Sequence, residues 1–324
     1  MEALTSYRDL LESHLEQVIS SQEPEQLYTP IKYILSLGGK RLRPVLTLMT
    51  SDFFGGKTED AMNAALAVEL FHNFSLIHDD IMDNAPLRRG KETVHEKWDL
   101  NTGILSGDAM LILAYRLFEG YPPETFRELA ILFSQTALEV CEGQQYDVDF
   151  ETRDDVMVTE YLKMIEYKTA VLVGASMKMG AIVAGASDAC RERIYEFGRD
   201  LGIAFQLQDD YLDAFGDPET FGKQVGGDII ANKKTFLYLT ALENASSEQG
   251  SDLKQFFSNH TSDTAAKVEA VKAIFLETGA ADRSREAIEQ YTQKAFEILD
   301  EIIMEDDKKE MLREFGTFLM RRTV

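Results

Sequence analysis

The sequence is short of cysteine, proline and positive charge, and each shortage excludes something. Its only cysteines, Cys141 and Cys190, stand in helix-like surroundings without CxxC or Cys/His spacing, which excludes a disulfide scaffold or a structural zinc site. Both read as core thiols in a reducing compartment. The seven prolines stand at 24, 30, 44, 86, 122, 123 and 218, so 124–217 contains no helix breaker. Lys and Arg number 33 against 56 Asp and Glu, a formal charge of −23. A nucleic-acid ligand requires a basic face that displaces counterions, so none is expected. No apolar run of about 18 residues occurs, so no membrane span is expected. The first residues, MEALTSYRDLLESHLEQ, are acidic and amphipathic and lack the features of a signal peptide. A cytoplasmic location follows as the expectation.

What is present is helical periodicity. Apolar residues recur at three- and four-residue spacing, as in Leu11, Leu15 and Val18, or Ile288, Tyr291, Ala295, Leu299 and Ile302. Strict alternation is almost absent. The pattern predicts an all-α chain with helices near 4–20, 26–36, 44–53, 58–83, 101–119, 124–150, 155–165, 169–185, 190–214, 234–244, 262–277, 280–303 and 307–320. No Gly/Ser- or Pro-rich linker divides it, so a single domain over 1–324 is expected. The stretch 58–83 is apolar on nearly every side, which predicts a central helix whose polar end emerges at Asp79. The segment FGDPETFGKQVGGD, 215–228, reads as a long ordered loop with lid behaviour.

Acid is concentrated twice, in HDDIMD and in QDDYLD. On a helix, residues i and i+4 share a face about 6 Å apart along the axis, so Asp79 converges with Asp83, and Asp209 with Asp213. Asp80 and Asp210 point to a neighbouring face. One such motif is more often a solvated helix end. Two, each closing a long apolar helix, are another matter: the macrodipole disfavours acid there unless a cation is bound. Mg²⁺ takes one or two carboxylates and leaves its other positions to water and phosphate, so two facing pairs would grip a diphosphate. The basic exceptions to the acidic field, GGKRLRP at 38–44, PLRRGK at 86–91 and NKK at 232–234, suit such a ligand.

The ordered set GGKRLRP, FHNFSLIHDDIMD, PLRRG, EGQQYD, YKTA, FQLQDDYLD, FGK and NKKT resembles the trans-isoprenyl diphosphate synthases, the polyprenyl synthetase family. The resemblance implies a single large helical bundle around a deep central cavity, the isoprenoid synthase fold, in a homodimer. It implies head-to-tail condensation of isopentenyl diphosphate with an allylic diphosphate of C5–C15. By the same resemblance, Asp79, Asp83 and Asp209 are Mg²⁺ ligands, with Asp80, Asp210 and Asp213 completing the motifs. Three Mg²⁺ per active site are expected, some arriving with substrate. Arg88, Lys168, Lys223 and Lys233 resemble the cations around the allylic diphosphate. Gly39, Lys40, Arg43, His72 and Arg89 resemble the pocket for isopentenyl diphosphate, which basic side chains neutralise without metal. The resemblance also implies that Thr169 and Gln206, with the Lys168 carbonyl, direct oxygen dipoles at the carbocation.

In this family the growing chain extends beside the helix carrying the first acidic motif. Phe74 and Ser75 lie just over one turn before Asp79, and Phe71 about a turn deeper, so these form the chain-length floor. One aromatic beside a small Ser75 favours a C20 product, geranylgeranyl diphosphate, ahead of C15, farnesyl diphosphate. Two alternatives stand: a class I terpene cyclase, against which the second Asp-rich motif and the basic pocket argue, and a non-catalytic subunit of a heteromeric synthase, against which both intact motifs argue.

Overall fold

A computed structural model describes residues 2–18, 23–217, 225–258 and 263–321. Two compact units are distinguished, 1–134 with 175–192, and 135–174 with 193–324.

The helices are α1 (Glu2–Val18), α2 (Glu25–Ser36), α3 (Leu42–Phe53), α4 (Thr58–Met82), α5 (Val94–Lys97), α6 (Leu100–Leu117), α7 (Pro123–Thr152), α8 (Val158–Ile165), α9 (Val171–Val183), α10 (Asp188–Phe215), α11 (Gly227–Ile230), α12 (Phe236–Asn244), α13 (Ser247–Ser258), α14 (Thr264–Glu277), α15 (Ala280–Glu301) and α16 (Asp306–Arg321). A 3₁₀ turn covers Phe118–Gly120 and a π-helical segment Glu166–Ala170. Among the described residues the only regular β structure is a hairpin of two-residue strands, β1 (Leu87–Arg88) and β2 (Lys91–Glu92). Its turn residues, Arg89 and Gly90, have φ of 53° and 73°, as a two-residue hairpin with right-handed twist requires.

In the first unit α4 is the axis. It packs against α3 and α6, and Ala64, Ala65, Val68, Leu70 and Phe71 along it are buried. The all-round apolar pattern is thus explained by burial, and each large side chain so placed contributes about 1.5–3 kcal/mol before entropy is counted. In the second unit α12 has the central place: Phe236 through Ala241 are all buried, and the helix packs on α8, α13, α14 and α15.

Capping accounts for two helix starts. Asp99 Oδ1 accepts the N–H of Thr102 at 2.8 Å before α6, and Asp263 Oδ1 accepts that of Ala266 at 3.0 Å before α14.

Differences from the sequence expectation have physical reasons. Helix α13 was not expected, because SEQGSDLKQFFS is polar, carries Gly250 and buries only Leu253 and Phe257, one turn apart. The helix expected from 169 starts only after the π segment. Cys141, expected in the core, is exposed on α7, whereas Cys190 is buried as expected. Of the expected loop 215–228, Phe215 ends α10 and 218–224, Lys223 included, lie outside the described residues. Among the described residues no helix is long and apolar enough to cross a membrane.

Candidate active site

In the first unit the first acidic motif ends α4. Asp83 caps the helix, its N–H bonded to the Asp79 carbonyl at 2.9 Å, and its carboxylate is exposed; Asp79 is half-buried. Asp80 is turned inward. Its two oxygens accept the Nε and Nη2 of Arg88 at 2.8 and 2.7 Å, and the same Nη2 stands 3.7 Å from Asp79. Burial raises the Asp80 pKa, with Arg88 opposing. Arg88 therefore braces the acidic helix end with a planar fork that a lysine would not reproduce.

The hairpin presents its second arginine elsewhere. Arg89 donates to the Gly38 carbonyl, and a Cβ on Gly39 would stand 2.8 Å from its guanidinium. The GGKRLRP loop is itself tied to α4 by a residue the sequence reading passed over. Arg41, in the left-handed region at φ 50°, is buried and donates to Glu69 and to the Leu35 carbonyl, while Asn73 Nδ2 donates to Glu69 at 2.7 Å. One turn along from Glu69, His72 Nε2 lies 3.4 Å from Arg43 Nη1. Burial, and then Arg43, Arg89, Arg88 and Arg41, hold His72 well below its ordinary pKa, so at neutral pH its lone pair is open to a donor. Burial also lowers Arg43 and Arg89. Lys40 is exposed on the same loop. Four basic or imidazole groups thus converge here, Arg41, Arg43, His72 and Arg89, with Lys40 on the loop beside them.

Phe71 and Phe74 are buried and tilted against each other at 5.6 Å between centroids; Phe74 meets His78 at 4.8 Å, and Phe71 meets Phe133 of α7 at 5.2 Å. Tyr115 and Phe118 close on Phe133 from the side. Ser75 is half-buried, its hydroxyl donating to the His72 carbonyl.

In the second unit the second motif ends α10. Asp209 and Asp213 are half-buried. Asp210 is buried, its carboxylate accepting the Tyr161 hydroxyl and Gln206 Nε2, the latter at 3.0 Å. Burial first, then Asp228, pushes its pKa well above the carboxylate range. Gln206 Oε1 accepts the Thr169 hydroxyl at 3.3 Å. A chain of hydrogen bonds therefore runs from Thr169 through Gln206 to Asp210.

Lys168 and Thr169 sit in the π segment, a form that recurs at functional positions because it re-aims one turn of side chains. Gly143 explains how it packs: a Cβ there would run into the Lys168 backbone, 2.7 Å from its Cα. One turn on, Asp147 Oδ2 accepts Lys168 Nζ at 2.5 Å. Gly143, Asp147 and Tyr161 were given no role from sequence, since each matters only through a partner distant in the chain. Lys233 is exposed after α11, its N–H bonded to the Asp228 carbonyl at 2.9 Å.

The polyprenyl synthetase family profile matches residues 24–274. The chain belongs to the polyprenyl synthetase family. It is a trans-prenyltransferase condensing isopentenyl diphosphate with an allylic diphosphate, and Mg²⁺ is the cofactor general to the family. It is 36% identical over 339 residues to the geranylfarnesyl diphosphate synthase of Natronomonas pharaonis, covering 99% of this chain and 97% of that one. It is 36% identical over 314 residues to the geranylgeranyl diphosphate synthase of Methanosarcina mazei, covering 96% and 94%. A crystal structure of a geranylgeranyl pyrophosphate synthase aligns over 98% of both chains with a TM-score of 0.95 and 57% identity. The all-α expectation for this prenyltransferase holds.

The donor set suits a hard cation. The carboxylates at both helix ends offer hard oxygen donors, and Asp79 and Asp83 stand one turn apart at the negative end of α4. Among the described residues no group of three or more His, Cys, Asp or Glu is assembled to hold a metal by itself. One or two carboxylates per ion, with water and phosphate completing the shell, is the arrangement Mg²⁺ accepts.

Proposed function

We propose that this trans-prenyltransferase makes geranylgeranyl diphosphate, with farnesyl diphosphate the second candidate, from 1–324 acting as one catalytic domain. The observation that carries the product length is the buried Phe74, seated on Phe71 beside the smaller Ser75, one turn before Asp79.

The roles of the residues are part of the same reading. Asp79, Asp83 and Asp209 would hold Mg²⁺, three ions in all, with Asp213 beside them and Asp80 and Asp210 bracing the two helix ends. Bound there, the metal supplies Lewis-acid charge to the allylic diphosphate. Arg88, Lys168, Lys233 and, outside the described residues, Lys223 neutralise the same leaving group. Lys40, Arg43 and Arg89 take the isopentenyl diphosphate, and neutral His72 accepts from Arg43, which orients that guanidinium without adding charge. Thr169 gives its hydroxyl hydrogen to Gln206, so its oxygen lone pairs remain to face the allylic cation. After the new C–C bond forms, the departing diphosphate takes the proton.

A homodimer belongs to this proposal, supported by Leu105, Ile112 and Ile131, apolar side chains of α6 and α7 that are more than half exposed in the single chain. A cytoplasmic location is supported by the cysteine usage, two residues without disulfide-scaffold or metal-site spacing. The test is incubation with isopentenyl diphosphate, Mg²⁺ and C5, C10 or C15 primers, followed by identification of the dephosphorylated alcohols. A C20 alcohol is expected; a dominant C15 or longer product refutes the assignment of length. Asp79→Ala and Asp209→Ala are expected to lower turnover by about 100-fold or more with the melting curve retained, and near-normal turnover refutes the ligand assignment.

A further inference from the structure

We propose that Lys267 and Asn232 form a positioning pair that sets Asp213 and Lys233 for the allylic diphosphate, an inference resting on the site reading above. Asp213 is oriented by the segment that follows it in space. Its Oδ2 accepts the N–H of Asp228 at 2.9 Å, and its carbonyl accepts the N–H of Gly226 at 2.6 Å. The same segment delivers Lys233. It runs through α11 into Asn232, then turns so that the Lys233 N–H returns to Asp228 and the Thr235 N–H to the Lys233 carbonyl. Whatever fixes 226–232 therefore fixes one carboxylate of the acidic motif and one cation together.

Both ends of that segment are held by adjacent residues of α14. At the near end, Gly226 has φ 83°, and a Cβ there would stand 2.7 Å from Val268. At the far end, Asn232 adopts φ 59°, the left-handed region that Asn enters more readily than other residues with a Cβ, and its Oδ1 accepts Lys267 Nζ. Lys267 is 3% exposed, with its ammonium 5.4 Å from the Phe257 ring centroid.

The choice of lysine is what argues for a purpose. Burial lowers its pKa, as expected of an ammonium taken from water, and an apolar side chain would fill the slot without that penalty. It also stands in the first turn of α14, where the macrodipole opposes a cation. Two local penalties are accepted at a residue whose contact is the corner of the Lys233 loop. Lys267 reaches no reacting atom; it acts through Asn232.

The test is steady-state kinetics of the full chain with both substrates varied. Asn232→Gly removes the acceptor while glycine adopts the left-handed turn freely, so the fold is not at risk. Lys267→Met removes the donor at similar length, and its melting curve is recorded alongside. Each is expected to raise the KM for the allylic diphosphate and the Mg²⁺ concentration for half-maximal rate by about 10-fold, with the KM for isopentenyl diphosphate unchanged. Asn232→Asp, which keeps an acceptor, is expected to restore both. Wild-type values in Asn232→Gly, or equal changes in both KM values, overturn the pair. A wild-type chain that makes no prenyl product overturns the site reading instead.

Discussion

Replacing Phe74 by alanine tests the floor most directly. Phe74 and Phe71 are three residues apart, about 4.5 Å along a helix axis, room for roughly one more isoprene unit. Phe71 cannot swing aside as readily, because it is almost fully buried and held edge-on by Phe133, which Tyr115 and Phe118 hold in turn. The single variant should therefore lengthen C20 to C25 and stop there, while Phe71→Ala/Phe74→Ala should run further. Stability sets a competing limit. Truncating a buried Phe costs about 3–5 kcal/mol, and the ring contacts with Phe71 and His78 account for about 0.5–1.5 kcal/mol each within it. The assay is mass spectrometry of the dephosphorylated alcohols at a temperature where the melting curve shows the variant folded. In the opposite direction, Ser75→Phe should shorten the product to C15. An unchanged product distribution in folded Phe74→Ala refutes the floor.

Three further outcomes follow from named contacts. Glu69→Ala leaves the buried Arg41 guanidinium without its carboxylate and should cost about 3–5 kcal/mol in urea unfolding; replacing Arg41 and Glu69 together by Met should cost less than the single change. Because His72 is held below its ordinary pKa, the unfolded chain binds a proton below about pH 6.5 that the folded chain does not. Stability should then fall as pH drops through that value, with a slope approaching about 1.4 kcal/mol per pH unit from this group, and His72→Gln should flatten the profile; an identical profile in the variant refutes the buried neutral imidazole. Gly143→Ala drives a Cβ into the Lys168 backbone and should displace the π segment, lowering kcat by about 100-fold with the fold retained. Unaltered kcat would show that the segment has slack.

Much of this protein was legible in its residues because the relevant physics is local. Three- and four-residue spacing places α4 and α10, and a pair of carboxylates four residues apart marks each end, whatever the rest of the chain does. The basic residues of GGKRLRP and PLRRG were recognisable for the same reason: motif and spacing are properties of a short stretch. What was not legible depends on backbone path. Nothing in DDIMD says that Asp80 turns inward to Arg88, nor in DDYLD that Asp210 is buried under Tyr161, some fifty residues earlier in the chain. Likewise EGQQYD does not announce that Gly143 admits a π segment, nor does the run around Lys267 announce a partner in the Lys233 loop. Which carboxylates face outward, which cations are already engaged and which aromatics back the floor are decided by contacts between segments far apart in sequence. Only the tertiary structure brings those segments within hydrogen-bond reach.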